Sequence, residues 1–301
     1  MTVLTTSSMM QTVLLALLPG LLCSSYFFGA GVFINVLVCV TAALAAEAGI
    51  LTIRKMDLRP LRDGSAVLTG LLLGLALPPA LPIWMAVLGS SFAIIFGKQL
   101  FGGLGQNPFN PAMVGYAVMI VSFPLAMSTW PDLLGVDGTT AATPLDIFRF
   151  RGAATIEELW ISANGFAQVA GVGWQWINLA YLLPGLALIY LKVARWQAAA
   201  SMLISITILA IVFYDNGSSQ SLGSPLFHLF SGGTMLAAFF VVTDPVTAPG
   251  SDIGLYVYGA GIGLITFVIR SVGAYPDGFA FAVLIMNALT PLIDQLRLRT
   301  T

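Results

Sequence analysis

Charged side chains are scarce in this sequence. The 12 Lys and Arg and the 13 Asp and Glu amount to 8% of 301 residues, where soluble domains carry about 25%. With 58% hydrophobic residues and a mean hydropathy of +0.93, that scarcity excludes an ordinary soluble domain and points to an integral membrane protein. The formal net charge of −1 supplies no basic field for nucleic acid. Only two cysteines are present, Cys23 and Cys39, both inside apolar runs. The chain therefore cannot assemble an iron–sulfur cluster alone, and its single histidine, His228, excludes a bis-histidine haem. Redox work would need an organic cofactor or a partner subunit. No Walker loop, Rossmann fingerprint or metal-ligand cluster occurs. The opening MTVLTTSSMM has no basic n-region, so the first apolar segment reads as a retained transmembrane helix.

What the sequence has in quantity is apolar stretches of helix length. A helix needs about 20 apolar residues to cross a bilayer. Ten candidate spans follow: 9–29, 31–53, 65–79, 81–103, 111–127, 174–193, 197–215, 226–244, 251–273 and 277–296. The expected fold class is an all-α integral membrane protein of ten transmembrane helices. LLPGL occurs at Leu17–Leu21 and again at Leu182–Leu186. Spaced prolines end the third and eighth spans, Pro78/Pro82 and Pro245/Pro249, and Asn107/Pro111 is echoed by Asn287/Pro291. The order is the same in both halves, which predicts two five-helix repeats. Five is odd, so the second copy is inverted, and inverted repeats place their broken helices at a functional centre. The expected organisation is a first repeat over 1–127, an external loop over 128–173, and a second repeat over 174–301.

Lys and Arg set the orientation. Arg54, Lys55, Arg59, Arg62, Lys98, Lys192, Arg195, Arg297 and Arg299 fall on one side, and Arg149, Arg151 and Arg270 on the other. Nine against three predicts cytoplasmic termini and an external 128–173 loop, with Trp130, Trp174 and Trp176 at its ends as an aromatic belt.

Three polar features stand out against this background. TPLD (Thr143–Asp146), inside GVDGTTAATPLDIF, has the form of a helix start, with Thr as N-cap, Pro at N1 and Asp at N3. A helix start also suits an anion, so a cap and a phosphate-bearing ligand are compatible. FGKQLFGGLGQNPFNPAMVGYA (Phe96–Ala117) reads either as a tight, Asn-capped turn or as a ligand-binding re-entrant turn; irregular backbone at membrane depth persists only when buried or lining a cavity. Glu47 and Asp244 are acids at membrane depth, a functional signal by default, although both fall close enough to span ends to be interfacial. His228 reads as a packing residue.

DGSAVLTGLLLGLALPPALPIW (Asp63–Trp84), GKQLFGGLGQNPFNPAMVGYA (Gly97–Ala117), DGTTAATPLD (Asp137–Asp146) and FFVVTDPVTAPGS (Phe239–Ser251) together resemble the family of the D subunit of the Rnf ion-translocating oxidoreductase and the related B subunit of the sodium-pumping NADH:quinone oxidoreductase. The resemblance covers nearly the whole chain. It implies FMN joined through its phosphate to Thr143, in a motif that maps onto Asp137, Gly138, Thr139, Thr140, Ala141, Ala142 and Thr143; Ala141 stands where the family often has Gly. It implies maturation by an FMN transferase outside the membrane, and a second, non-covalent flavin, riboflavin, near Asn107 and Asn110. It implies iron–sulfur and other membrane subunits as partners, ferredoxin:NAD⁺ electron exchange coupled to Na⁺ or H⁺ movement with Glu47 and Asp244 on the ion path, and a bacterial inner-membrane location. A hydrocarbon core about 30 Å thick is too wide for one flavin at the rim to bridge. The rival reading is a channel or transporter for a small polar solute, of the urea or ammonium kind, because inverted repeats with Pro-broken helices suit it equally and fold alone does not separate the two.

Overall fold

The computed structural model describes residues 6–131, 140–162, 166, 169–275 and 277–298. The chain is overwhelmingly helical: α1 (Thr6–Phe28), α2 (Gly31–Ile53), α3 (Ser65–Ala76), α4 (Ile83–Gly97), α5 (Pro111–Ser122), α6 (Pro124–Ser128), α7 (Pro144–Arg149), α8 (Ile156–Ser162), α9 (Trp174–Tyr190), α10 (Trp196–Val212), α11 (Pro225–Phe230), α12 (Thr234–Leu236, continuing as a π-helical turn over Ala237–Val241), α13 (Asp252–Val272) and α14 (Phe279–Leu298). Among the described residues the only strands are Trp130–Pro131 (β1) and Thr140–Ala141 (β2), paired antiparallel. Among the described residues four helices are long and apolar enough to cross a membrane: Ser7–Phe28, Gly31–Ile53, Ile83–Phe101 and Asp252–Val272. Four shorter ones are also apolar: Ser65–Ala76, Pro111–Ser122, Trp196–Val212 and Phe279–Gln295.

A helix that is apolar all round has no water-facing side, and the chain sorts such helices by small differences. On α2 the buried stripe is Val32, Asn35, Cys39, Ala43, Glu47 and Leu51, spaced three or four apart. Phe33, Ile34 and Leu37 point outward on the same helix. Its inner face therefore carries the polar groups and its outer face the large aliphatic ones, the reverse of a soluble helix. Small residues allow the close approaches. A Cβ on Gly70 or Gly74 of α3 would meet the α2 backbone at Val40 or Val36, and one on Gly259 of α13 would overlap the Ala198 carbonyl of α10. Such small-residue contacts replace the missing hydrophobic drive between helices in lipid.

The two LLPGL copies lie within α1 and α9, with Pro19 and Pro184 inside the helices. These helices pack on each other. A Cβ on Gly20 would run into the Tyr181 ring, which explains why Gly follows Pro there. Around this pair α2 packs on α3 and α4, and α4 on α5, while α10 packs on α11 and α13, and α13 on α14; α5 meets α14.

Three of the expected spans end or break earlier than the sequence suggests. The 226–244 stretch is two short helices separated at Ser231–Gly233, where Ser231 is extended and Gly232 has φ +56°. That left-handed backbone favours glycine. The 81–103 stretch stops as an α-helix at Gly97, and the turn that follows uses positive φ at Gly102, Gly103 and Gly105. The 111–127 stretch breaks at Phe123, ahead of Pro124, because a residue preceding proline is driven out of the helical region.

Candidate cofactor sites

The glycine-rich turn between α4 and α5 closes one end of a cavity of about 430 Å³, within the range of small-molecule sites, roughly 300–1,000 Å³. Its walls come from α1, α3, α5, α9 and α12, and are mostly apolar, with Ser65, Thr69, Lys98, Asn107, Asn110, Thr243 and Asp244 as the polar exceptions. Asn107, Asn110 and Asp244 are separate features of the sequence; the fold brings them together. Asn107 donates from Nδ2 to the Phe109 carbonyl at 3.0 Å, and its buried Oδ1 has no partner. Asn110 is engaged through its backbone N–H, its Oδ1 and its Nδ2. It caps α5, its Oδ1 accepting from the Met113 N–H at 3.3 Å. Its own N–H donates to Asn287 Oδ1 at 3.0 Å, and its Nδ2 donates to Asp244 Oδ2 at 3.3 Å. Asp244 also accepts from Thr247 Oγ1 and the Val246 N–H, each at 3.1 Å. Asn287 in turn donates to the Tyr258 hydroxyl at 2.7 Å and the Thr247 carbonyl at 3.3 Å. The network joins α5 to α13, α14 and the segment that follows α12.

Glu47 is not at an interface. It is fully buried, and its Oε1 accepts from Lys98 Nζ at 2.6 Å and from Gln99 Nε2 at 2.6 Å. Lys98 Nζ also donates to Ser65 Oγ at 2.6 Å, and Ser65 donates to Asp63 at 2.5 Å. Lys98 reads in sequence as a cytoplasmic loop charge, but its side chain is 2% exposed. Arg270, on the other side of the charge count, is equally hidden. Its Nε and Nη2 hold Asp277 Oδ1 at 3.1 and 2.9 Å, and its Nη1 donates to the His228 carbonyl at 3.0 Å. Without these two cations the count is eight against two, so the asymmetry stands on the remaining ten. A lone cation in a glycine-rich turn looks like a surface charge in sequence. Only the carboxylate 51 residues away reveals otherwise.

Thr143 begins α7 as the N-cap of a complete capping box. Its Oγ1 accepts from the Asp146 N–H at 3.2 Å and donates to Asp146 Oδ2 at 2.6 Å, and its own N–H donates to the same oxygen at 3.3 Å. The Thr143 N–H and hydroxyl are therefore engaged by the Asp146 carboxylate, and the Asp146 N–H by the Thr143 hydroxyl. Burial pushes the Asp146 carboxyl above its usual range, a shift opposed by the hydrogen bonds from Thr143. Thr143 also lines a second cavity of about 60 Å³, with Tyr116, Trp130, Trp174, Gly232, Asp277 and Phe279 around it. That volume is far too small for a flavin ring. A flavin joined here through its phosphate would have its linkage in the wall and its ring outside this cavity. Asp137 lies outside the described residues, and so does the side chain of Thr140.

The two cavities share walls. Leu72 and Leu75 on α3, Ala112 and Tyr116 on α5, and Leu236 and Phe239 on α12 are pairs in which one residue lines each cavity. Three or four residues are about one helical turn, roughly 5–6 Å, so the nearest walls are that close. On α9, Trp174 and Leu188 line opposite cavities, which are therefore up to about 21 Å apart along that helix. His228, expected as a packing residue, is buried with Nε2 2.7 Å from the Leu222 carbonyl. No group of three or more metal-ligating side chains occurs among the described residues.

A model of the NQR2, RnfD, RnfE family matches residues 2–300. The chain is 45% identical over 310 residues to a Pseudomonas aeruginosa (strain LESB58) protein named as the D subunit of an ion-translocating oxidoreductase complex, covering 96% of this chain and 89% of that one. Proteins of the same name from Erwinia tasmaniensis and Aeromonas salmonicida are each 45% identical, over 96% and 97% of this chain and 92% and 93% of theirs. The resemblance seen in the motifs thus extends over the whole length, and the chain belongs to the NQR2, RnfD, RnfE family.

Proposed function

We propose that this chain is the D-type subunit of an Rnf-type ion-translocating ferredoxin:NAD⁺ oxidoreductase complex, carrying FMN on Thr143 and riboflavin in the larger cavity. It is not catalytic alone. The observation that carries the reading is the pair of cavities stacked in one set of helices, with the attachment threonine in the wall of one and the Asn107/Asn110 turn in the wall of the other. The relatives' shared name supports membership of an oxidoreductase complex. Bound flavin supplies reversible electron acceptance; the chain supplies position. Asp146 Oδ2 accepts a 2.6 Å hydrogen bond from the Thr143 hydroxyl and so positions the oxygen that would carry the phosphoester. Aromatic side chains around the smaller cavity exclude water from the linkage, and Asn107 Oδ1 offers an unused acceptor to a ring N–H in the larger one.

The fold reading that goes with this function is ten membrane crossings in two inverted five-helix repeats, 1–127 and 174–301, with 128–173 as the external loop that carries the attachment motif. The matching neighbours of α2 and α10, and the pairing of α1 with α9, favour it. The remaining Lys and Arg residues favour cytoplasmic termini in a bacterial inner membrane. Glu47 and Asp244 belong to the route for Na⁺ or H⁺, each buried acid lying at or beside the larger cavity. Iron–sulfur and other membrane subunits complete the electron path.

The test is flavin fluorescence in a denaturing gel, from cells that express the transferase. A band that stays fluorescent and is lost in Thr143→Ala supports the reading. A dark wild-type band refutes the covalent FMN on Thr143 and leaves a subunit of the oxidoreductase complex without that cofactor.

A further inference from the structure

Lys98 is the least expected side chain in the larger cavity. A buried ammonium is costly unless paired, and Lys98 is paired on one side only. Two of its three donors are satisfied, by Glu47 Oε1 and Ser65 Oγ. The same side chain lines the cavity. Asn107 lines it too, with a buried Oδ1 that has no partner. Two residues of the wall thus each keep one hydrogen-bonding group unused, the third Lys98 N–H and the Asn107 Oδ1. An apolar occupant would leave both groups unsatisfied, and buried polar groups are rarely left so.

A flavin ring carries a matching pair on its pyrimidine edge, carbonyl oxygens flanking a ring N–H. It also gains negative charge on that edge when reduced. A positive charge beside it favours the reduced over the oxidised ring, one of the ways a protein tunes a flavin. We propose that Lys98 contacts the pyrimidine edge of the flavin in the larger cavity and sets its reduction potential, with Glu47, Ser65 and Gln99 as the positioning residues that hold it there. Gln99 contributes by donating to the same Glu47 oxygen at 2.6 Å, which fixes the carboxylate. This rests on the reading of the larger cavity as a flavin site.

The test uses the full chain purified in detergent with Thr143→Ala, so that the only flavin in the subunit is non-covalent. Lys98→Met alone would strand Glu47, so the decisive variant is the neutral pair Glu47→Gln/Lys98→Met, compared with Lys98→Arg, which keeps the charge. Flavin content and midpoint potential are read by spectroelectrochemistry. The neutral pair is expected to weaken binding of the reduced flavin relative to the oxidised at least tenfold, a fall of 59 mV or more for a one-electron step. Lys98→Arg is expected to stay close to the parent. A neutral pair that keeps its flavin at the parent potential overturns the role of Lys98 while leaving the cavity's occupant intact. Loss of the flavin from both variants alike assigns Lys98 to the fold and not to the potential, and overturns the proposal too. A parent protein that holds no non-covalent flavin overturns the reading of the cavity itself.

Discussion

Glu47→Ala removes one partner of a fully buried ion pair. In the wild type Lys98 Nζ and Gln99 Nε2 both converge on Glu47 Oε1 at 2.6 Å, with side-chain exposures of 2% for Lys98 and 0% for Glu47. Removing the carboxylate leaves an ammonium held by the Ser65 hydroxyl alone, and a Gln99 amide without its acceptor. Breaking a buried pair from one side costs about 3–5 kcal/mol, and the stranded Gln99 amide adds about 1–3 kcal/mol. The expected loss is therefore at least about 3 kcal/mol. Replacing both charges with neutral groups of similar shape, Glu47→Gln/Lys98→Met, is much milder, because desolvation of two ions disappears along with their attraction; such exchanges are often neutral or better. The double-mutant cycle built from Glu47→Gln, Lys98→Met and the pair should then yield a coupling energy of several kcal/mol, at or above the top of the roughly 0.5–3 kcal/mol range of ordinary neighbours. Equilibrium unfolding by SDS in mixed micelles measures all four corners. A single substitution costing under about 1 kcal/mol, the range of an exposed pair, refutes the buried pair, as does a neutral pair as unstable as Glu47→Ala.

Gly259→Ala on α13 pushes a methyl into the Ala198 carbonyl and should cost about 1–3 kcal/mol as overpacking, whereas Gly49→Ala on α2, with nothing within 4 Å, should be neutral or slightly stabilising; thermal melts in detergent separate the two. Asn110→Ala removes the α5 cap and the bond to Asp244, a loss of about 1 kcal/mol for the cap alone, and should also lower non-covalent flavin content on purification. The Asp146 carboxyl is raised in the folded state by burial. The folded form therefore holds its proton to higher pH than the unfolded one, and this group's contribution is greatest below the ordinary value of 3.8 and lost as pH rises through the folded value. Asp146→Asn should flatten that decline, so the stability gap between wild type and variant shifts in the variant's favour as pH rises from about 4 toward neutrality; melts across that range read the slope.

Much of the fold is legible in the sequence because it is local. Runs of apolar residues mark the helices, proline and glycine spacing marks most of the breaks, and TPLD marks the capping box at Thr143, complete with Asp146. What escapes is non-local. The acid that neutralises Lys98 lies 51 residues away, and the amide that binds the Asn110 N–H lies 177 residues away. Hydropathy smooths over single charges, so Lys98 and Arg270 count in sequence only as charges near the ends of their spans when both are buried anchors. The break inside the 226–244 stretch is similarly hidden, since SGG is short and flanked by apolar residues on both sides. Glu47 stands out in the sequence as an acid at membrane depth, but its partners, and so its difference from an interfacial acid, emerge only with the fold.

An FMN phosphoester on Thr143 is read without ambiguity by peptide mass spectrometry of the chain purified from cells that express an FMN transferase. The peptide containing Thr143 is expected to carry the mass of FMN less one water, with fragmentation placing it on that residue. The same peptide recovered unmodified, or with the adduct on Thr139 or Thr140, contradicts the assignment.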